Sequence, residues 1–237
     1  GTATQTFDLT GAVAVLDNPV VINKAGGSVT LLSAYTLDHA NADFTLTLGT
    51  FSTGNFAVTT SSGSDIAVNG GILNAGSSTM TVAGLLTVAG GTYNGNTSTG
   101  TLTSFTLSSG AYNGNTSTPT FIFVTISGGI FTASSGTTTV GGDWTHTDGG
   151  TFTHNSGTVV FAGGGANINV ATTETFSGLI IDKSCCSLSI SAEDTPVATG
   201  TLTLTDGTWA TGTVAAQGNI VVGAGWDASG SVTLNVT

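Results

Sequence analysis

The sequence has very few charged residues and no arginine. Its only lysines are Lys24 and Lys183, and its only glutamates are Glu174 and Glu193. Helical proteins usually carry Glu, Lys, Arg, Leu and Ala on their helices, whereas the polar positions here are mostly Thr, Ser, Asn and Gly. No stretch has apolar residues at helical spacing, so we expect an all-β chain with little or no α-helix.

The scarcity of basic residues also excludes several classes of partner. Thirteen acidic residues against two lysines give a formal net charge of −11, so nothing neutralises a phosphate backbone and we expect no nucleic-acid partner. No apolar run approaches the roughly 18 residues that a membrane-spanning helix needs, so we expect no membrane span. With 39% hydrophobic residues and only three prolines, the composition is typical of a folded chain rather than a disordered linker.

The most informative positive feature is a repeat. The heptad YNGNTST at residues 93–99 recurs at residues 112–118, nineteen positions later. Around it, a short alternating strand, a Gly and a large apolar anchor recur at steps of 22, 20, 19, 19 and 21 residues. The anchors are Phe51, Leu73, Tyr93, Tyr112, Phe131 and Phe152, and a further copy ends at Trp209.

A fixed period near twenty residues predicts a single-stranded parallel β-helix, or β-solenoid, with coils of about 19–22 residues. Each coil alone cannot bury its apolar face, and its stacked neighbours complete the core. An antiparallel sandwich or barrel is the competing fold, and a propeller with about forty residues per blade is a further alternative. The 57 residues from Phe152 to Trp209 equal three coils of nineteen.

The repeat divides the chain into three parts. Residues 46–160 hold the regular repeats. Residues 1–45 fit them poorly and are interpreted as an N-terminal strand segment and cap, and as a possible assembly arm. Residues 161–237 are interpreted as a less regular continuation of the solenoid that ends in a strand.

Residues 142–161 read GDWTHTDGGTFTHNSGTVVF, and residues 175–183 read TFSGLIIDK. This pattern resembles repeats of adhesin-like β-solenoid proteins of prokaryotic cell surfaces, which follow the form GxWT…GTFT…GTVxF. The resemblance implies an extracellular, surface-associated or fibre-forming role and transfers no catalytic residue. The opening residues, GTAT, are also what a processed, secreted protein has at its start.

Residues with chemical potential are few and scattered. Polysaccharide-cleaving β-helices use clustered acids with Arg or Lys, but here the acids are spread singly, so we expect no enzyme activity, cofactor or metal site. His146 and His154 bracket a turn and are interpreted as an exposed cross-strand pair. The adjacent cysteines Cys185 and Cys186 form either a strained local disulfide or links between subunits, and two buried thiols in a turn are a further alternative.

The sequons at Asn96, Asn115 and Asn235 are possible glycosylation sites in a secreted protein. The function we expect is that of a secreted structural subunit that joins copies of itself head to tail, by β-strand addition, into an extracellular filament. The residues expected to carry assembly are Phe7, Leu9, Val13, Val15 and Leu16 at the front and Val232, Leu234 and Val236 at the back. The alternatives are an adhesin or glycan-binding module of a larger surface protein, with polysaccharide as partner, and, third, a polysaccharide-active enzyme.

Overall fold

The computed structural model describes residues 1–10, 17–147, 149–227 and 230–237. Among these residues it contains strands and no helix, and the strands pair in parallel. The predicted fold is confirmed, because the strands wind into a parallel β-solenoid of about 11 turns. The strands are β1 (Gln5–Phe7), β2 (Val20–Leu31), β3 (Tyr35–Leu37), β4 (Phe44–Ser52), β5 (Val58–Thr60), β6 (Ile66–Val68), β7 (Ile72–Asn74), β8 (Met80–Asn94), β9 (Thr99–Asn115), β10 (Thr118–Ile126), β11 (Ile130–Ser134), β12 (Thr137–Val140), β13 (Trp144–His146), β14 (Thr151–Thr153), β15 (Thr158–Ala162), β16 (Ala166–Val170), β17 (Thr173–Phe176), β18 (Gly178–Ile190), β19 (Thr195–Ala198), β20 (Leu202–Ala216), β21 (Ile220–Asp227) and β22 (Ser231–Val236).

Three ladders run along the stack, and each regular coil adds one strand segment to each. Ladder 1 contains residues 20–22, 44–46, 66–68, 86–88, 105–107, 124–126, 144–146, 166–170, 188–190 and 208–211. Ladder 2 contains residues 5–7, 29–31, 50–52, 72–74, 92–94, 111–113, 130–132 and 151–153. Ladder 3 contains residues 35–37, 58–60, 80–82, 100–102, 119–121, 138–140, 159–161, 179–181, 202–204 and 220–222.

Alternation along each strand places one set of side chains inside the stack. In ladder 2 these are the repeat anchors, which pair directly from coil to coil. The Tyr93 and Tyr112 rings stack with centroids 5.3 Å apart, and the Tyr112 and Phe131 rings at 4.6 Å. Six of the seven anchors expose at most 2% of their surface, and Phe152 is half-buried against the same core.

The glycine before each anchor forms a tight corner. Gly110 and Gly129 have φ of 79° and 72°, which side-chain-bearing residues rarely adopt. A Cβ atom at Gly110 would lie 2.2 Å from the carbonyl oxygen of Gly91 on the coil below. Glycine therefore recurs in the repeat because neighbouring coils approach too closely at this corner for a side chain.

The structure corrects the assignment of Trp209 to the anchor column. Trp209 is buried, but it pairs with Leu188 in ladder 1. The Phe152 ring instead packs against the Phe176 ring, with their centroids 5.4 Å apart. The column then continues from Phe176 through Ala198 and Ala216 to Val236. The equality of 57 residues with three coils of nineteen is therefore coincidental, since the coils in this region differ in length.

Residues 1–45, interpreted from the sequence as an N-terminal strand segment and cap, contribute β1, β2 and β3 to the same ladders. The stack thus includes the described residues from Gln5 onward. A longer excursion at residues 23–27 interrupts the regular pairing of β2 with β4. Such irregular coils hide the period of this segment from a search for repeats.

Candidate functional site

The N-terminal end of the stack presents strands with one unpaired edge. Among the described residues, β1 pairs only with β2 on its inner side, and residues 20–22 pair only with residues 44–46. A shallow groove of about 220 Å³ opens there. Its lining is mostly apolar and consists of Gln5, Thr6, Phe7, Val20, Ile22 and Val29.

The C-terminal end of the stack also presents strands with one unpaired edge. In the described part of the chain, β21 and β22 both pair with β20 alone, and every residue of β22 is exposed. A second apolar groove, of about 160 Å³, lies between these strands. It is lined by Leu204, Trp209, Trp226, Asp227, Gly230, Val232 and Leu234.

Exposure at this end follows from the direction in which the side chains point. Leu234 and Val236 pair with Val214 and Ala216, which are fully buried. They therefore occupy inward-facing positions of the coil, yet Val236 is 69% exposed, since no described coil lies beyond it. Val222, which pairs with buried Leu204, is likewise 61% exposed. Apolar residues in core positions are thus open to solvent at the last coil.

The residues expected to carry assembly are distributed as follows. Phe7 and Leu9 are half-buried at the N-terminal end, and the Phe7 and Tyr35 rings pack in a T-shaped arrangement with their centroids 5.5 Å apart. Val13, Val15 and Leu16 lie outside the described residues. At the other end, the exposed apolar side chains of β22 are Val232, Leu234 and Val236. No local sequence pattern marks Val20, Val29, Val222 and Trp226 as residues of the open ends, because only the three-dimensional stack shows which coils have an open side.

The two lysines, the only basic residues besides histidine, are both buried. The Lys24 ammonium donates to Gln5 Oε1 at 2.7 Å. The Lys183 ammonium donates to the carbonyl oxygens of Gly141 and Ala162, at 3.2 and 2.9 Å. Burial lowers the pKa of Lys183 to about 8, against the opposing effect of Asp143. Since both lysines are inside, the exposed surface carries acids with no lysine or arginine between them.

The cysteines lie in an irregular part of β18, next to Lys183. The structure joins Cys185 and Cys186 to each other, which is the local disulfide among the alternatives left open by the sequence. Residues 183–187 bulge out of the regular pairing between β18 and β20. With Asp206, Thr208 and Asp227 they line a polar cavity of about 350 Å³.

A buried polar cluster connects two coils near the middle of the stack. Glu174 Oε2 accepts a hydrogen bond from the Trp144 indole N–H at 3.2 Å, and it lies 2.7 Å from His146 Nδ1. Burial raises the pKa of Glu174, and the contacts with His146 and Trp144 partly offset that rise. The expected exposed pair of His146 and His154 is wrong, because His146 is largely buried against Glu174 and the His154 ring accepts from the backbone N–H of Ser156. Within the described ranges, no group of three or more His, Cys, Asp or Glu side chains is arranged to hold a metal ion.

The first two sequons occupy one corner of consecutive coils. Asn96 and Asn115 adopt left-handed φ values of 53° and 52°, a conformation that asparagine tolerates well. Their sequon serines, Ser98 and Ser117, are buried. These asparagines thus have a structural reason for their position, independent of any glycan. Asn235 is exposed on β22.

No protein-family model matches this chain, and comparisons with curated proteins and with solved structures find no match. The resemblance to adhesin-like repeats therefore stays a prediction. In the part of the chain that the structure describes, no helix has the length and apolar character to cross a bilayer.

Proposed function

We propose that this protein is a secreted structural subunit whose copies stack end to end into an extracellular filament. The observation that carries the proposal is the exposure of core-position side chains on the last coil, led by Val222, Leu234 and Val236. Covering them with another coil would bury apolar surface, and each Å² removed from water would stabilise the contact by about 25 cal/mol. The first coil of a second copy is a suitable cover because it has its own apolar groove, along Phe7, Val20 and Val29.

The strand directions support a head-to-tail contact. All coils wind in one sense with parallel strands, so placing one copy's last coil against the next copy's first coil continues the same parallel ladders. Such a contact is heterologous and does not close on itself, and it therefore produces a fibre. The acidic sides, which carry no exposed lysine or arginine, oppose lateral association between stacks.

Two adjacent residues of β21 provide the test. Val222→Asp places a charge at an inward position of the open end, where a second copy would have to bury it. Val221→Asp is the matched control, because Val221 pairs with Thr203, faces outward and is 49% exposed. We expect wild-type protein and Val221→Asp to form filaments in electron micrographs and fast-sedimenting species in ultracentrifugation, and Val222→Asp to remain monomeric and folded.

Mixing variant subunits with wild-type protein tests end-to-end stacking more directly. A Val222→Asp subunit keeps an intact N-terminal end, so it can join a growing filament and then stop its growth. A small fraction of it should shorten wild-type filaments, while Val221→Asp should have no effect. Monomeric wild-type protein at high concentration, or equal assembly of both variants, would refute end-to-end stacking.

The alternative is an adhesin or glycan-binding module of a larger surface protein, with polysaccharide as partner. It is favoured by the polar cavity of about 350 Å³ beside Cys185 and Cys186, which offers hydroxyl, carboxylate and backbone groups to a sugar. Retention of the purified protein on polysaccharide, lost on Asp206→Ala, would support it. Both proposals place the protein outside the cell, where a disulfide persists.

A further inference from the structure

Ladder 3 presents a regular array of threonines to solvent. On four consecutive coils the pattern Thr-x-Thr lies at the start of its strands, with Thr79 directly before β8. The residue between the two threonines lies on the inner side, as with Met80 at 2% and Thr138 at 1% exposure. The threonines themselves are exposed or half-buried on the outer side. We call the following eight residues the threonine face: Thr79, Thr81, Thr99, Thr101, Thr118, Thr120, Thr137 and Thr139.

The array is in register in both directions. Thr99 pairs with Thr79 below and Thr118 above. Thr120 pairs with Thr101 below and Thr139 above. No register shift interrupts these pairs. Ideal strand geometry therefore spaces the threonines about 4.8 Å apart along the stack and roughly 6.7 Å apart along each strand. Both columns extend further. The column that contains Thr137 continues to Thr158, and the column that contains Thr81 continues in the other direction through Thr59 to Thr36.

The other two ladders lack such an array. Ladder 2 has two outward columns over these coils. One mixes Ile72, Thr92, Ala111 and Ile130, and the other holds Asn74, Asn94, Asn113 and Thr132. Ladder 1 has one outward column of threonines at residues 87, 106 and 125, but the position two residues earlier holds Leu85, Ser104 and Phe123. A two-column array of identical side chains is thus confined to ladder 3 over these coils.

The chemistry of the threonine face restricts its ligand. It has no basic group for a phosphate and no aromatic ring on which a sugar could stack. Thr97 and Thr116, beside it, donate to backbone carbonyls, but among the described residues no side-chain hydrogen bond is found for the eight hydroxyls of the face. Since β-branched side chains have restricted χ1 angles, these hydroxyls and methyls are held in a fixed pattern with little entropy left to lose on binding.

A rigid pattern that repeats in two directions is complementary to a ligand that is itself a lattice. Oxygen atoms on the surfaces of hexagonal ice repeat in two directions, at one spacing close to the shorter distance of this array and at another somewhat longer than its second distance. We propose that the threonine face binds ice. Each hydroxyl and methyl contributes little alone, but eight of them meet the lattice together, which multiplies weak contacts. The face lies on the side of the stack, so binding does not require either end and is independent of filament assembly.

The chain supplies matched controls for a test. Thr101 of the threonine face and Thr106 of ladder 1 both belong to β9, and Thr120 and Thr125 both belong to β10. The double variant Thr101→Tyr/Thr120→Tyr puts two rings in the middle of the array. The double variant Thr106→Tyr/Thr125→Tyr makes the same change on the same strands on another side. Tyrosine is favoured in strands, so both should fold.

The readouts are the shape of a single ice crystal in protein solution, the gap between its melting and freezing temperatures, and the incorporation of protein into slowly growing ice. We expect wild type and the ladder 1 variant to shape ice and enter it, and the threonine-face variant to be excluded like a soluble reference protein. If circular dichroism shows that variant unfolded, Thr99→Lys/Thr118→Lys, at two exposed positions, replaces it. Exclusion of the wild type from ice, or equal behaviour of both double variants, would overturn the proposal.

Discussion

Replacing Phe131 by alanine tests the register of the solenoid at its most densely packed point. The Phe131 side chain is fully buried, and its ring centroid lies within 6.0 Å of five other rings on its own and neighbouring coils. These rings belong to Phe105, Tyr112, Phe121, Trp144 and Phe152. Truncation to alanine therefore leaves a cavity lined by rigid aromatic groups, which collapse poorly around it.

The size of the effect follows from this packing. Phe→Ala changes in cores cost about 3–5 kcal/mol of unfolding free energy, and aromatic pairs contribute about 0.5–1.5 kcal/mol each beyond their buried area. We expect a loss near the upper value, about 4–5 kcal/mol. Ile130, the preceding residue of β11, points outward and is 52% exposed, so Ile130→Ala should cost no more than about 1 kcal/mol.

Urea unfolding followed by circular dichroism measures both changes. With an m-value of about 3 kcal/mol per M, the Phe131→Ala midpoint should fall by about 1.5 M and the Ile130→Ala midpoint by a few tenths. Because a one-residue slip exchanges the inner and outer sides of a strand, the reverse order of the two effects would refute the register. A loss below about 2 kcal/mol for Phe131→Ala would refute the packing argument.

Two further predictions concern buried charge. Burial raises the pKa of Glu174 in the folded state above its ordinary value of 4.5. The folded state therefore binds more protons than the unfolded chain. The stabilisation that results is present below pH 4.5 and is lost as the pH rises through the folded-state pKa. Glu174→Gln should flatten this decline in unfolding free energy, and an unchanged decline would show that another group causes it. Because burial lowers the pKa of Lys183 from 10.5 to about 8, stability should rise between about pH 8 and pH 10.5 as the unfolded chain loses its proton. Thermal unfolding of Lys183→Met should lack that rise, and a rise of equal size in the variant would contradict the assignment.

The regular part of the fold could be predicted because its repeat has a direct steric cause. A glycine is needed where Gly110 lies over Gly91, and a large side chain is needed next to it to fill the centre of the coil. These two requirements recur at nearly constant spacing from Phe51 to Phe152. The parallel stack and its ladder 2 core were therefore readable from the sequence alone.

The interior of residues 161–216 could not be read in the same way, because core volume can move between ladders. After Phe176 the inward position of ladder 2 shrinks to Ala198 and Ala216. In the same region, ladder 1 gains the large ring of Trp209 over Leu188. Close packing requires that the cross-section of each coil is filled, but it does not fix which position carries the large side chain. The large anchors of the repeat therefore change from ladder 2 to ladder 1 in this region.

The candidate surfaces, too, could not be predicted from the sequence. The exposure of Val222 depends on whether a coil lies beyond it, and the threonine face depends on register across four coils; neither property belongs to a local motif. Thr101 and Thr106 are the same residue type in one strand, yet only Thr101 belongs to a two-column array. In a stacked coil, function can thus reside in the alignment between coils, and substitutions that preserve composition but shift that alignment should abolish it.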